Sequence, residues 1–114
     1  MPFIDTKTTV RISKEQELRL KEQFGKAIEC LSGKTEAWLM LGFEDNYRMW
    51  FKGDNTQPTA MIEVKLLGSA DSGDYDRMTE CVCSIINEVL HIPKNRIYVK
   101  YEETRYWGWN GNNF

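Results

Sequence analysis

Ser13-Lys14-Glu15-Gln16-Glu17-Leu18-Arg19-Leu20-Lys21-Glu22-Gln23-Phe24-Gly25-Lys26-Ala27-Ile28-Glu29-Cys30-Leu31-Ser32-Gly33 is the stretch from which the fold is read. Ser13 and Gln16 have the spacing of a capping box, in which each side chain caps the other's backbone N–H. Leu20, Phe24, Ala27, Ile28 and Leu31 then recur every three or four residues, the period that collects apolar groups on one helical face. Gly33 stops the pattern. The spacing predicts an amphipathic helix over about residues 14 to 32. On either side lie short strand-like segments, Phe3 to Thr9 and Ala37 to Phe43, so the first half reads strand, helix, strand.

The second half repeats that grammar. Thr59 to Leu67 alternates as a strand, Gly68 to Gly73 reads as a loop, and Asp74 is placed to cap a helix. Met78, Cys81, Val82, Ile85, Val89 and Leu90 form its apolar stripe, and His91 falls at its C-terminus. Pro93 forbids further helix, and Arg96 to Glu102 reads as the next strand. Gly33-Lys34 before one strand answers Pro93-Lys94 before the other, about 60 residues later. Two βαβ units follow, and a crossover through a helix favours parallel pairing within each. The expected architecture is α/β: a four-stranded mixed sheet with both helices on one face, one domain spanning residues 1–114. Its uncovered face is expected to be apolar, through Met61, Val64 or Leu66 according to register, which points to oligomerisation. Tyr47 to Gly53 is expected to add a short edge strand.

The 114 residues are 41% hydrophobic and 28% charged, enough for one core. The 15 basic residues are interleaved with 17 acidic ones for a net charge of −2, so no basic stripe is available for a nucleic-acid backbone. No apolar run reaches membrane-spanning length and no signal peptide is evident, so a soluble, cytoplasmic protein is expected. Cys30, Cys81 and Cys83 are read as reduced, structural thiols, with Cys81 and Cys83 on different faces of their helix. His91 has no second histidine or paired cysteines beside it, so neither a metal site nor a cofactor is expected.

The N-terminus carries the one proline able to do acid–base chemistry. Mid-chain, proline nitrogen is an amide, but removal of Met1 would leave Pro2 as a free secondary amine. The competing reading is that Pro2 only starts an edge strand.

The whole chain resembles the macrophage migration inhibitory factor and D-dopachrome tautomerase family. The marks are Met1-Pro2-Phe3-Ile4, Gly33-Lys34, Leu67-Gly68-Ser69, Pro93-Lys94-Asn95-Arg96-Ile97-Tyr98-Val99 and Gly108-Trp109-Asn110-Gly111-Asn112-Asn113-Phe114. The resemblance implies a homotrimer whose sheets form a central barrel, with active sites at subunit interfaces. It implies keto–enol tautomerase activity on phenylpyruvate-like substrates, small molecules bearing an aromatic ring or a carboxylate. By the same resemblance Pro2 is the catalytic base, Lys34 a substrate-binding lysine, and Leu67 a backbone N–H donor to substrate. Tyr98 would be donated by the adjacent subunit, and Trp109 and Phe114 would line the pocket. Two departures bear on specificity: Lys100 stands where well-known members carry asparagine, and Trp107 replaces a smaller apolar residue. Gln57-Pro58-Thr59-Ala60 stands where vertebrate members have a Cys-x-x-Cys motif, so thiol–disulfide activity attributed to that motif is not expected.

Tautomerisation needs a base to take a proton from carbon beside a carbonyl, a donor to the enolate oxygen, and return of the proton. A cation about 6 Å from the Pro2 amine, at an effective dielectric of ~20, would oppose its protonation by roughly 3 kcal/mol. Lys34 fits that role, although taken alone it reads more readily as a charge offsetting a helix dipole. Taken singly, Tyr98 and Trp109 read as core or interface aromatics, and Lys100 as either a second cation for anionic substrates or a solvated strand residue. Two other functions stand beside the tautomerase. One is a signalling ligand for a host receptor, exported without a signal peptide, in which the site is vestigial. The other is a decarboxylase or dehalogenase of the wider superfamily.

Overall fold

The computed structural model describes residues 1–114. Strand β1 (Pro2–Thr8) leads to helix α1 (Lys14–Ala27), β2 (Met40–Glu44), β3 (Ala60–Leu67), α2 (Ser72–Leu90) and β4 (Ile97–Thr104), and a hairpin of β5 (Gly108–Trp109) and β6 (Asn112–Asn113) closes the chain. The sheet order is β2-β1-β3-β4. β1 runs parallel to β2 and β3 parallel to β4, while the two units meet antiparallel at β1 and β3. The expected mixed sheet and parallel pairing both hold.

The capping box forms: Gln16 N–H donates to Ser13 Oγ at 3.2 Å and Ser13 N–H to Gln16 Oε1 at 2.9 Å. Leu20, Phe24, Ala27, Ile28 and Leu31 are buried, as their spacing predicts. Residues 28–30 tighten into a 3-10 turn, so the α-helix proper is shorter than the apolar period. Gly33 follows at φ +80, the left-handed region where a side chain would be strained. In α2, Met78, Val82, Ile85, Val89 and Leu90 turn inward onto Ile4, Ile62, Val64 and Leu66. Each such fully buried side chain contributes about 1.5–3 kcal/mol. His91 caps this helix at φ 59 and its N–H donates to the Asn87 carbonyl.

Four expectations change. Helix α2 is entered at Asp71, and Asp74 lies in its first turn. There its carboxylate accepts from Ser32 N–H and Oγ and pairs with Arg77, tying the end of the first unit to the second helix. The segment from Tyr47 to Gly53 is not a strand; its only bridge is Phe51 with Asp54. Residues 36–38 form a 3-10 turn, so β2 starts at Met40. Finally, the sheet face away from the helices is mixed rather than uniformly apolar: Met61 lies on it as expected, with Phe3 and Leu67, but among charged residues. The register turns Val64 and Leu66 into the core, and presents Asp5, Lys7, Glu63, Lys65, Lys100 and Glu102 on the open face. Lys7 pairs with Asp5 at 2.8 Å and approaches Glu63 at 3.9 Å; Lys100 pairs with Glu102 at 3.0 Å. Alternation forces this, because the apolar set of a strand can face only one way. No helix is long and apolar enough to cross a membrane.

Candidate active site

Pro2 opens β1, and β1 is a central strand, flanked by β2 and β3, rather than an edge. A proline is tolerated there because the first residue of a strand can forgo its ladder N–H. Pro2 is buried and pairs with Leu66, which brings Leu67 to the level of Met1. Leu67 N–H donates to the Met1 carbonyl oxygen at 3.2 Å. With Met1 attached, the Pro2 nitrogen is an amide and the Leu67 donor is satisfied by the preceding residue. Excision of Met1 would expose both at once: a secondary amine, and a backbone N–H aimed at the place where a carbonyl oxygen now sits.

Lys34 completes the group. The turn at Gly33 delivers it, its own N–H bonding the Leu31 carbonyl at 3.0 Å, and its Nζ donates to the Leu67 carbonyl at 3.1 Å. Burial, then the Lys34 charge and a Lys34 hydrogen bond, hold the Met1 α-amine below its ordinary pKa of 8.0. An amine at this end of β1 is therefore biased toward its neutral, basic form.

Trp109 and Phe114 are brought together in the C-terminal hairpin, with ring centroids 6.0 Å apart. Both also meet Trp38, at 5.0 Å for Trp109 and 6.3 Å for Phe114, each edge-on. Sequence reasoning did not single out Trp38. It lies two residues before Met40, which pairs with Phe3, so strand register carries it to the Met1 and Pro2 end of the sheet. Counting back from that pairing, with an aromatic residue following Gly33-Lys34 so closely, was the available signal.

Tyr98 and Lys100 are not brought to Pro2 within one chain. Tyr98 pairs with Met61 and Pro2 with Leu66 on the same β3, five residues apart, or about 16 Å along the strand. Tyr98 is exposed at 61% and rests edge-on against Phe51 at 4.8 Å. Lys100 lies opposite Glu63 on the open face, and its ion pair with Glu102 raises its pKa.

The macrophage migration inhibitory factor family model matches residues 1–114 of this chain. The chain belongs to that family. It is 30% identical over 97 residues to macrophage migration inhibitory factor of Xenopus laevis, covering 83% of this chain and 80% of the relative. The crystal structure of Leishmania major MIF2 superposes with a TM-score of 0.93 at 32% identity, over 100% of this chain and 97% of the other. That of a macrophage migration inhibitory factor homologue from Prochlorococcus marinus gives 0.87 at 34%, over 98% of each chain. The four-stranded mixed sheet with two helices is thus the fold of this family, and the protein is a member with a tautomerase fold.

Proposed function

We propose that the protein is a keto–enol tautomerase acting on phenylpyruvate-like α-keto acids, with Pro2 as general acid and base once Met1 has been removed. The observation that carries this reading is the convergence on Leu67: its N–H holds the Met1 carbonyl and its carbonyl holds Lys34. In the processed chain the substrate's oxygen replaces that Met1 carbonyl as the acceptor. Pro2 takes the proton from the carbon next to the substrate carbonyl, and negative charge grows on the oxygen. A backbone N–H already oriented there stabilises that charge without reorganisation. Lys34 binds the substrate carboxylate and, by its charge, keeps Pro2 neutral and able to accept the proton. Pro2 then returns the proton to the other end of the enolate.

Trp38, Trp109 and Phe114 form the wall for an aromatic ring. The distance of Tyr98 from Pro2 within one chain supports a homotrimer in which Tyr98, and Lys100 beside it on the strand, serve the neighbouring subunit's site. Unpaired outer edges at β2 and β4 favour the same assembly. The test is insertion of alanine between Met1 and Pro2 in protein shown to be folded and trimeric. Loss of phenylpyruvate enol–keto conversion is expected; undiminished conversion would overturn the proline mechanism.

A further inference from the structure

Away from the N-terminus, helices α1 and α2 leave a groove of 460 Å³ between them, with Lys26, Cys30, Cys81, Ser84 and Glu88 among its lining. Within that lining, Cys30 Sγ and Cys81 Sγ lie 3.7 Å apart although 51 residues separate them in sequence. Both thiols are free, and neither belongs to the site built around Pro2. Cys83, two residues further along α2, does not line this groove; it is half-buried, and burial raises its pKa.

We propose that Cys30 and Cys81 are a modification site, oxidised by hydroperoxides to an intramolecular disulfide while Cys83 stays reduced. A disulfide needs its sulfurs at about 2.05 Å, so the pair must close by under 2 Å. Cys30 sits in the single 3-10 turn after α1, where a short, poorly bonded element can adjust, and Cys81 sits in the rigid middle of α2. The groove is open, which admits an oxidant the size of hydrogen peroxide.

The chemistry balances. One thiolate attacks a peroxide oxygen; an S–O bond forms, the O–O bond breaks, and the departing hydroxide takes a proton to become water. The second sulfur attacks the resulting sulfenic acid, forming the S–S bond and expelling hydroxide, which leaves as a second water. Two electrons pass from the sulfurs to the peroxide. The first step needs a thiolate, so it should quicken as pH rises. Cys30 is raised above its ordinary value by burial first and then by Cys81, with Asp74 adding to the effect and Arg77 opposing it. Around the pair, α1 presents Lys26 and α2 presents Glu80 and Glu88.

The bond would fix the segment that carries Lys34 to α2 at a second point. Ser32 Oγ already donates to Asp74 at 3.1 Å. Whether Pro2 is catalytic has no bearing on this inference.

The experiment treats the reduced full-length chain with hydrogen peroxide, alkylates the remaining thiols, and compares intact mass with a non-reducing tryptic map. The expected product has lost two hydrogens, carries one alkylated thiol, and links Ala27–Lys34 to Met78–Lys94. Cys81 and Cys83 share the latter peptide, so fragmentation of the wild-type product and the Cys83→Ser variant assign the sulfur. The link should persist in Cys83→Ser and vanish in Cys81→Ser, and form faster in mildly alkaline buffer. A link through Cys83, a link between chains, oxygen addition without a link, or no reaction while free cysteine is consumed would each overturn the proposal.

Discussion

Replacing Trp38 with alanine removes the ring that both C-terminal aromatics meet. Trp109 stands against it at 5.0 Å and Phe114 at 6.3 Å. Aromatic pairs of this kind contribute about 0.5–1.5 kcal/mol each beyond area burial, so the two together amount to about 1–3 kcal/mol. Trp38 is 47% exposed and outside the core cluster, so the loss falls on the hairpin rather than on global stability. That hairpin has two-residue strands turned by Asn110 and Gly111 at φ 53 and 82, and a two-stranded ribbon of this size is marginal by itself. Its ordered population relative to the open form should fall by about 5- to 150-fold, at 1.4 kcal/mol per factor of ten. If the hairpin forms the wall for an aromatic substrate, KM for phenylpyruvate rises by up to that factor. The value of kcat changes less, because Pro2, Lys34 and Leu67 are untouched. Steady-state loss of the enol absorbance measures both constants, and Trp38→Phe should keep KM near the wild-type value. An unchanged KM in a Trp38→Ala protein that folds normally would show that the hairpin does not depend on Trp38 or does not contact substrate.

Three further perturbations follow from particular contacts. Arg96 is buried, and its guanidinium donates to the carbonyls of Phe51, Asp54, Gln57 and Pro58 and to the Thr59 hydroxyl. Arg96→Met takes a donor from each of these groups and leaves the Pro58 carbonyl without one, while Phe51, Asp54 and Gln57 keep theirs, and should cost about 1–3 kcal/mol in urea unfolding; a midpoint equal to wild type would contradict that. Asp74 has its pKa lowered from 3.8, chiefly by the Ser32 N–H. A depressed folded value stabilises above the unfolded pKa and is lost as pH falls through the folded one, so the wild type should lose stability below about pH 4. Asp74→Asn should flatten that limb while lowering stability at neutral pH, and superimposable curves would argue against the contact. Lys34→Met removes the cation beside the N-terminal amine, so KM should rise and the acid limb of the kcat/KM profile should move to higher pH. A limb that stays in place would show that Lys34 does not tune the base.

Much of this fold is legible in the chain because local chemistry and global topology agree there. The Ser13 and Gln16 spacing, the stripe from Leu20 to Leu31 and the stop at Gly33 each specify one element. A helix between two strands then dictates parallel pairing. What was not legible depended on register and on distant partners. Met61 points to the opposite face from Val64 and Leu66, so one residue of slip decides which of them joins the open face and whether charges accompany them, and only pairing with β1 and β4 settles it. Asp74 has the side chain of a cap, yet Ser32, 42 residues away, claims its carboxylate. Tyr47 to Phe51 has strand-forming residues but finds no neighbouring strand to pair with. In the candidate site, Pro2, Lys34 and Leu67 could be named from the chain because they lie in short distinctive segments. Trp38 is not legible in that way, because a 3-10 turn, rather than the expected strand, aims it at the hairpin.

On the proposed mechanism, chemistry begins only when the Pro2 nitrogen is a free amine. Preparations containing graded proportions of Met1-retaining and Met1-free chain, fixed by intact mass, should be assayed for phenylpyruvate tautomerisation at equal total protein. The rate should rise in proportion to the Met1-free fraction and extrapolate to zero when every chain keeps Met1. A rate independent of that fraction would contradict the account.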